Sequence, residues 1–317
     1  MLNPFLNVFL NYMNPLRNLN ILYKNSIYNN VDINFSSSFT GNLFFTCDLE
    51  LTPLLMRGLS KQKSKIEIEH GLKYILNMLD KYKICATFFT EGYLCKNFPD
   101  LVCSIDTNIH EIGCHGYDHS IYGDFWFPNK LYNFKNLSLQ QRKEHINKTN
   151  ILIKGITGYE PLSFRAPFLA IDEKTLNLLE KEGFLIDSSL YNVCFGKISN
   201  PYHPDNKNIL KNGNMKIYEF PITMSINFYK KNLMQLYYKP IITEPLNIVY
   251  KTFFIMNKLN HYQGINIVLL IHLWEYVIYN NKIQKLKNNI KKLGDLFFFI
   301  KKNQIKSKTM KSKFEGN

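Results

Sequence analysis

No run of eighteen or more apolar residues occurs in the 317-residue chain, so no segment is long and apolar enough to cross a bilayer as a helix. The six cysteines, at 47, 85, 95, 103, 114 and 194, include no CxxC pair and no small-domain framework, and several sit in apolar runs. They are expected to be reduced thiols acting as small hydrophobes, in a cytoplasmic protein. The opening "MLNPFLNVFLNYMNPLR" is apolar but lacks a basic leading segment and is broken by Asn and Pro. It reads as no signal peptide, with a loose anchor at the inner face of a membrane as the alternative. No repeat of fixed period is visible. What is present suits a globular chain with a sizeable core: 45% hydrophobic residues, 20 Tyr and 24 Phe.

The formal net charge of +14 invites a nucleic-acid or membrane partner. Its distribution argues otherwise. From Lys282 onward there are eleven lysines against Asp295 and Glu315, and the remainder is only mildly basic. The closing stretch "KKNQIKSKTMKSKFEGN" reads as a solvated, frayed tail, with peripheral membrane contact as the alternative. A specific nucleic-acid partner is not expected.

Residues 1–40 are Asn-rich and irregular, an N-terminal extension. From "NLFFTCDLE" onward, short apolar runs alternate with helical patterns. "LFFTC", "CATFFT", "HEIGC", "LSFRAP", "FLIDSS", "IYEFPI" and "INIVLLIHLWE" read as strands. "IEHGLKYILNMLDKY" places Leu72, Ile75, Leu76 and Leu79 on one helical stripe. A helix is expected from a capping Asp172 to Gly183 and another near 245–259. "IQKLKNNIKKLG" is a further helix, and the apolar run "LFFFI" closes the pattern. Strands separated by helices imply parallel β/α units. The expectation is an α/β fold: a deformed (β/α) barrel of about seven parallel strands, one domain over 41–300 with a basic, disordered tail at 301–317. A doubly wound open sheet is the alternative.

The polar outliers fall in one kind of place. Asp48 and Glu50 follow the first strand, and His115 and His119 the third. Arg165 follows the fourth strand, Asp187 ends the fifth, and His272 ends "IVLLI". In a parallel barrel the strand C-termini meet on one face, where active sites are built. Two imidazoles and one carboxylate leave open positions on a divalent cation. A second carboxylate can take a proton from water, a separate histidine can protonate a leaving group, and an arginine can orient the base. Metal-assisted hydrolysis of an amide or ester follows. The spacing alone does not say which carboxylate plays which part.

These stretches resemble the polysaccharide deacetylase family, whose catalytic part is the NodB homology domain. "FTCDLE", "ATFFTEG", "HEIGCHGYDH", "FRAP" and "LLIHLWE" match its motifs in order, across roughly Asn42 to Tyr276. The resemblance implies Asp48 as general base, Glu50, His115 and His119 as metal ligands, Arg165 as the base-orienting residue and His272 as general acid. It implies Asp187 as the acidic residue that polarises His272. It further implies a divalent metal, zinc first, with cobalt, nickel, iron or manganese as alternatives. The chemistry implied is removal of an N- or O-acyl group from a sugar, glycan or lipid-linked sugar. Tyr117, Pro167, Phe168 and Trp274 are the expected substrate contacts. Two departures stand out: the first motif reads D-L-E rather than adjacent aspartates, and Phe168 and Leu169 stand after "RAP" where the family has glycine. Rival readings are a deformylase of a lipid-linked aminosugar and a non-catalytic glycan-binding barrel. His110 is expected to be structural, Cys114 a packed thiol, and Asp118 either a turn residue or a partner of a ligand histidine.

Overall fold

The computed structural model describes residues 41–123, 137–192, 200–228, 236–240, 265–276 and 283–314, with a few single positions between 242 and 253. The 1–40 extension, Cys194 and most of the expected 245–259 helix lie outside the described residues.

Among the described residues, seven strands form the continuous path of one eight-stranded parallel sheet: β1 (Gly41–Leu49), β2 (Ala86–Thr90), β3 (Glu111–Cys114), β4 (Ser163–Phe164), β5 (Ile186–Asp187), β7 (Tyr218–Glu219) and β10 (Ile265–His272). Their spatial order is β10-β1-β2-β3-β4-β5-β7, every pair parallel. β6 (Tyr191–Asn192), β8 (Ile222–Phe228) and β9 (Leu236–Pro240) make a second small sheet. Helices Lys61–Tyr82, Leu139–Thr157 and Glu173–Lys181 supply crossovers between successive strands. The sheet curls, and among the described residues it does not close by backbone pairing. Across the seam between β7 and β10, the Val268 N–H donates to Thr223 Oγ1 of β8 at 3.1 Å. The deformed barrel of about seven strands is therefore what the chain folds into.

β1 and β10 read as continuous apolar runs because both their faces are covered. Leu43, Phe45, Cys47 and Leu49 join the large cluster under the helices, while Phe44 joins the smaller one with Phe89, Ile186, Phe220, Val268 and Leu270. Successive side chains alternate faces along a strand. Asp48 thus rises on the face of Phe44 and Thr46, and His272 on the face of Val268 and Leu270. Asp48 and His272 are directly opposed in the register. The helices end as their sequences dictate: Asp172 caps its helix on the Thr175 N–H, and Gly183 follows that helix in a left-handed turn at φ 89°.

The apolar run "LFFFI" lies inside the helix Ile283–Lys302, because Leu293, Leu296, Phe297 and Ile300 bury at helical spacing. One expectation is corrected: the basic tail is not disordered as far as residue 314. β11 (Lys306–Ser307) pairs with Asn42 and Leu43 of β1, on the edge where β2 begins only opposite Phe45. Ile305, Thr309 and Met310 are buried while the lysines between them point outward. Met310 plugs the lower end of the barrel interior against the Phe44 cluster. Met310→Ala is expected to cost about 2–5 kcal/mol in denaturant unfolding, as for other fully buried truncations. A loss well under ~1 kcal/mol would mean the plug is peripheral.

Candidate active site

The first-strand turn is held from its neighbour. Past β1, the Leu51 and Thr52 N–H groups donate to Glu91 Oε2 at 2.6 and 3.0 Å, and the Thr52 hydroxyl donates to Oε1. Glu91 is fully buried, and burial pushes its carboxyl above the usual range despite these donors. It fixes the backbone immediately after Glu50. Nothing in the Glu91 sequence context announced this, because its partners lie forty residues away.

After β3 the chain turns at Gly116, whose φ of 66° favours glycine and whose Cβ would meet the Tyr122 ring at 2.7 Å. The turn brings His115 and His119 to Glu50. One oxygen, Glu50 Oε1, lies 2.9 Å from His115 Nε2 and 2.7 Å from His119 Nε2. The Trp274 indole N–H donates to Glu50 Oε2 at 3.2 Å. The ligand atoms of Glu50, His115 and His119 all lie within 4.8 Å of one another, as do those of Asp48, Glu50 and His272.

Asp48 is held from the opposite side. Arg165, fully buried, donates through Nη1 to Asp48 Oδ1 at 2.8 Å and to Thr46 Oγ1 at 2.8 Å. Its Nε and Nη2 go to Ser188 O and Ser188 Oγ, both at 2.8 Å, and its guanidinium lies 4.1 Å over the Phe89 ring. Asp48 Oδ2 is left facing the cluster, 4.0 Å from His115 Nε2 and 3.8 Å from His272 Nε2. His272 is half-exposed and stacks on Trp274 at 4.8 Å.

The electrostatics of the cluster are strongly cation-seeking. Burial would raise the Glu50 carboxyl, but charge and hydrogen bonds from His119 and His115 pull it well below the usual range. Burial would lower His115, but Asp48 and Glu50 raise it. His115 Nδ1 sits 2.8 Å from the Arg165 carbonyl oxygen, which can only accept. Nδ1 therefore carries the ring proton, and Nε2 of the neutral imidazole aims a lone pair at a carboxylate oxygen. Two lone pairs at 2.9 Å need a proton or a cation between them, and the donor set of two imidazoles and a carboxylate fits a divalent metal.

The structure brings Asp48, Glu50, His115, His119, Arg165 and His272 together. It does not put Asp187 against His272. Asp187 Oδ1 accepts from Ser189 Oγ and Oδ2 from Ser189 N, and its carboxyl contacts Glu219. The role of polarising His272 is therefore corrected. Tyr117 is corrected as well: it is buried, with Lys148 Nζ 3.6 Å over its ring and Tyr93 and His145 at its edges, so it offers no face to a sugar. Pro167 is buried in the turn. Trp274 carries His272 and the Arg57 guanidinium (4.0 Å) on its ring, and its clear task is the hydrogen bond to Glu50. Phe168 stays at the site, its ring 4.3 Å from that of His119. Phe168 and Leu169 take φ of 58° and 57°, the conformation that the missing glycine would adopt without strain. His110 is structural, accepting from the Ala86 N–H at 3.1 Å. Asp118 is a turn residue that accepts from Ser120 Oγ. Burial pushes the Cys114 thiol up to about 12, which makes it inert at neutral pH.

The curled parallel barrel gathers imidazoles, carboxylates and a buried arginine at its strand C-termini, which defines its architecture as a deformed (β/α) barrel. Residues 67–186 match the family model described as polysaccharide deacetylase. That segment holds His115, His119 and Arg165; Asp48 and Glu50 precede it, and His272 follows it. A peptidoglycan deacetylase-like protein of Gibberella zeae is 34% identical over 122 residues, 38% of this chain and 32% of that one. The peptidoglycan deacetylase of Helicobacter pylori is 31% identical over 127 residues, 40% of this chain and 39% of that one. The match thus spans only about a third of each curated relative. Among solved structures, a candidate polysaccharide deacetylase of Mycobacterium smegmatis shares the fold, with a TM-score of 0.54 and 18% identity over 87% of this chain and 95% of that one. So does a PuuE allantoinase, with a TM-score of 0.59 and 16% identity over 87% of this chain and 90% of that one.

Proposed function

We propose that this chain is a metal-dependent deacetylase that hydrolyses the acetamide of an amino sugar in a glycan. The observation that carries this reading is Glu50 Oε1 between His115 Nε2 and His119 Nε2, beside an Asp48 whose Oδ1 is held by Arg165. Glu50, His115 and His119 would hold the metal, zinc being the best match to two imidazoles and a carboxylate. When bound, such an ion polarises the acyl carbonyl and acidifies water. Asp48 accepts the proton of the attacking water through Oδ2, since Arg165 occupies Oδ1 and orients the carboxylate. His272, half-exposed at the mouth, donates a proton to the sugar nitrogen as the C–N bond breaks. Acetate and the free amine leave. Phe168 lines the approach beside His119. The relatives named as peptidoglycan deacetylases make an N-acetylated cell-wall glycan the first substrate to try. The five described cysteines are free thiols, in keeping with a reducing, cytoplasmic setting as part of the proposal.

The test is metal content of the purified protein, wild type beside His115→Ala, with acetate release from N-acetylglucosamine oligomers. About one equivalent of metal, lost in the variant together with activity, is the expected result. A folded wild type that takes up no zinc, cobalt or nickel on reconstitution would sink the reading. Proton linkage gives a second readout. His115 binds its proton more tightly folded than unfolded, so in chelator-treated protein its contribution to stability is complete below the usual histidine pKa of 6.5 and lost as pH rises through the raised folded value. Glu50 is the reverse: its contribution is present above the usual carboxyl pKa of 4.5 and lost as pH falls through the lowered folded value. Metal-free Tm should therefore plateau between those limits and fall on both sides. Metal must displace the His115 proton, so uptake should release protons and weaken as pH falls.

A further inference from the structure

We propose that Glu219 is a positioning residue for the site: it carries the one proton shared with Asp187 and, through Ser189, holds the peptide that aligns both His115 and Arg165. Neither the family motifs nor the cluster at the barrel mouth includes Glu219.

Asp187 of β5 and Glu219 of β7 are directly opposed in a parallel pair, so their side chains share one face of the sheet. Both are fully buried, and their carboxyls are in contact. Two ionised carboxylates do not persist in such contact away from water, so the pair holds a proton. The donors around the pair decide where. Asp187 accepts at both oxygens, from Ser189 Oγ at 2.7 Å and from Ser189 N at 3.1 Å, and so is the charged partner. Glu219 Oε1 accepts from the Leu190 N–H at 3.0 Å, while Oε2 is buried and receives no donor. The Asp187 carboxyl is the neighbouring acceptor, and since Oε2 is the Glu219 oxygen that no donor reaches, the shared proton is assigned to it. Burial and the Asp187 charge hold Glu219 well above the usual carboxyl range, in line with that assignment.

What the pair secures is one peptide plane. Ser189 Oγ, fixed by Asp187, accepts from the Ala166 N–H at 2.8 Å. The same peptide unit presents the Arg165 carbonyl, which accepts from His115 Nδ1 at 2.8 Å. Ser188, next in the chain, receives Arg165 Nε and Nη2 and donates its own hydroxyl to the Phe220 carbonyl, one residue beyond Glu219. A relay of Glu219, Asp187 and Ser189 thus sets the ring of one candidate metal ligand. The adjoining Ser188 sets the guanidinium that holds Asp48. Loss of Glu219 should tilt both together.

The activity arm rests on the deacetylase reading; the spectroscopic arm does not. Glu219→Gln keeps an acceptor for Leu190 N and a donor for Asp187, whereas Glu219→Leu keeps neither. With N-acetylglucosamine oligomers, Glu219→Leu should lose about 10- to 100-fold in kcat, as expected for a small misplacement of reacting groups. KM should stay within about twofold, and Glu219→Gln should restore kcat to within about threefold of wild type. The infrared difference between wild type and Glu219→Gln at neutral pH, recorded without substrate, should show the carbonyl band of a protonated buried carboxyl lost in the variant. Should Glu219→Leu not fold, Glu219→Gln and the infrared band decide. Absence of that band, or a Glu219→Gln as impaired as Glu219→Leu, overturns the proposal. A wild type that releases no acetate but shows the band counts against the deacetylase reading and supports the assigned proton.

Discussion

Replacing Arg165 with methionine is expected to destabilise the fold by about 3–5 kcal/mol, the range for breaking a buried ion pair from one side. Arg165 has no exposed surface and donates to Asp48, Thr46 and Ser188. Without it, Asp48 is a buried charge with no counter-charge on its inner side, and the Ser188 oxygens lose their donors. Methionine fills much of the volume, so a cavity is not the main cost. Lysine should rescue little, because a single ammonium cannot reach Asp48 Oδ1, Thr46 Oγ1 and Ser188 together. Denaturant titration of both variants measures the effect. A loss under about 1 kcal/mol would mean that Asp48 is neutral in the fold and would remove it as a base.

Asp48→Asn is expected to lower kcat on N-acetylglucosamine oligomers by about 10²- to 10⁴-fold, the usual contribution of a positioned base. The change keeps the shape and an acceptor for Arg165, and it leaves Glu50, His115 and His119 untouched. Metal content should therefore stay at the wild-type level while turnover collapses, which separates the base from the ligands. Activity within about tenfold of wild type would make Asp48 a mere partner of Arg165 and pass the base role to Glu50.

The long strands were legible because they are covered on both faces. Their apolar runs ended at the charged and imidazole residues that the fold then gathered. The order of these residues along the chain was enough to place six of them at one mouth, with Asp48 and His272 facing each other by register alone. What stayed hidden has physical causes. β5 and β7 are two residues each, too short for any periodic signal, so the opposition of Asp187 and Glu219 could not be read. "LFFFI" has strand composition, and only packing against Tyr82 and Phe45 shows it to be helix. The basic closing segment looked solvated because lysine dominates its average, while its buried anchors are only Ile305, Thr309 and Met310 among the described residues. Trp274 looked like a sugar platform, and its indole proton proved to be the informative part.

The pairing of β1 with both β10 and β11 bears on how the chain can be made. β1 meets β2 about forty residues on, but its other contacts, Asp48 with His272 and Leu43 with Ser307, join residues more than two hundred apart. Such closures are slow, since the chain entropy of a long loop is lost before any contact rewards it. During synthesis the strand bearing Asp48 would emerge early and wait, one edge bare and apolar, until nearly the whole barrel had left the ribosome. Sheet edges of that kind are where nascent chains aggregate. The late strands thus act as a completion signal: only a chain translated past His272 can cover the edge of β1 opposite β2, and only one that reaches Ser307 can cover the start of the other.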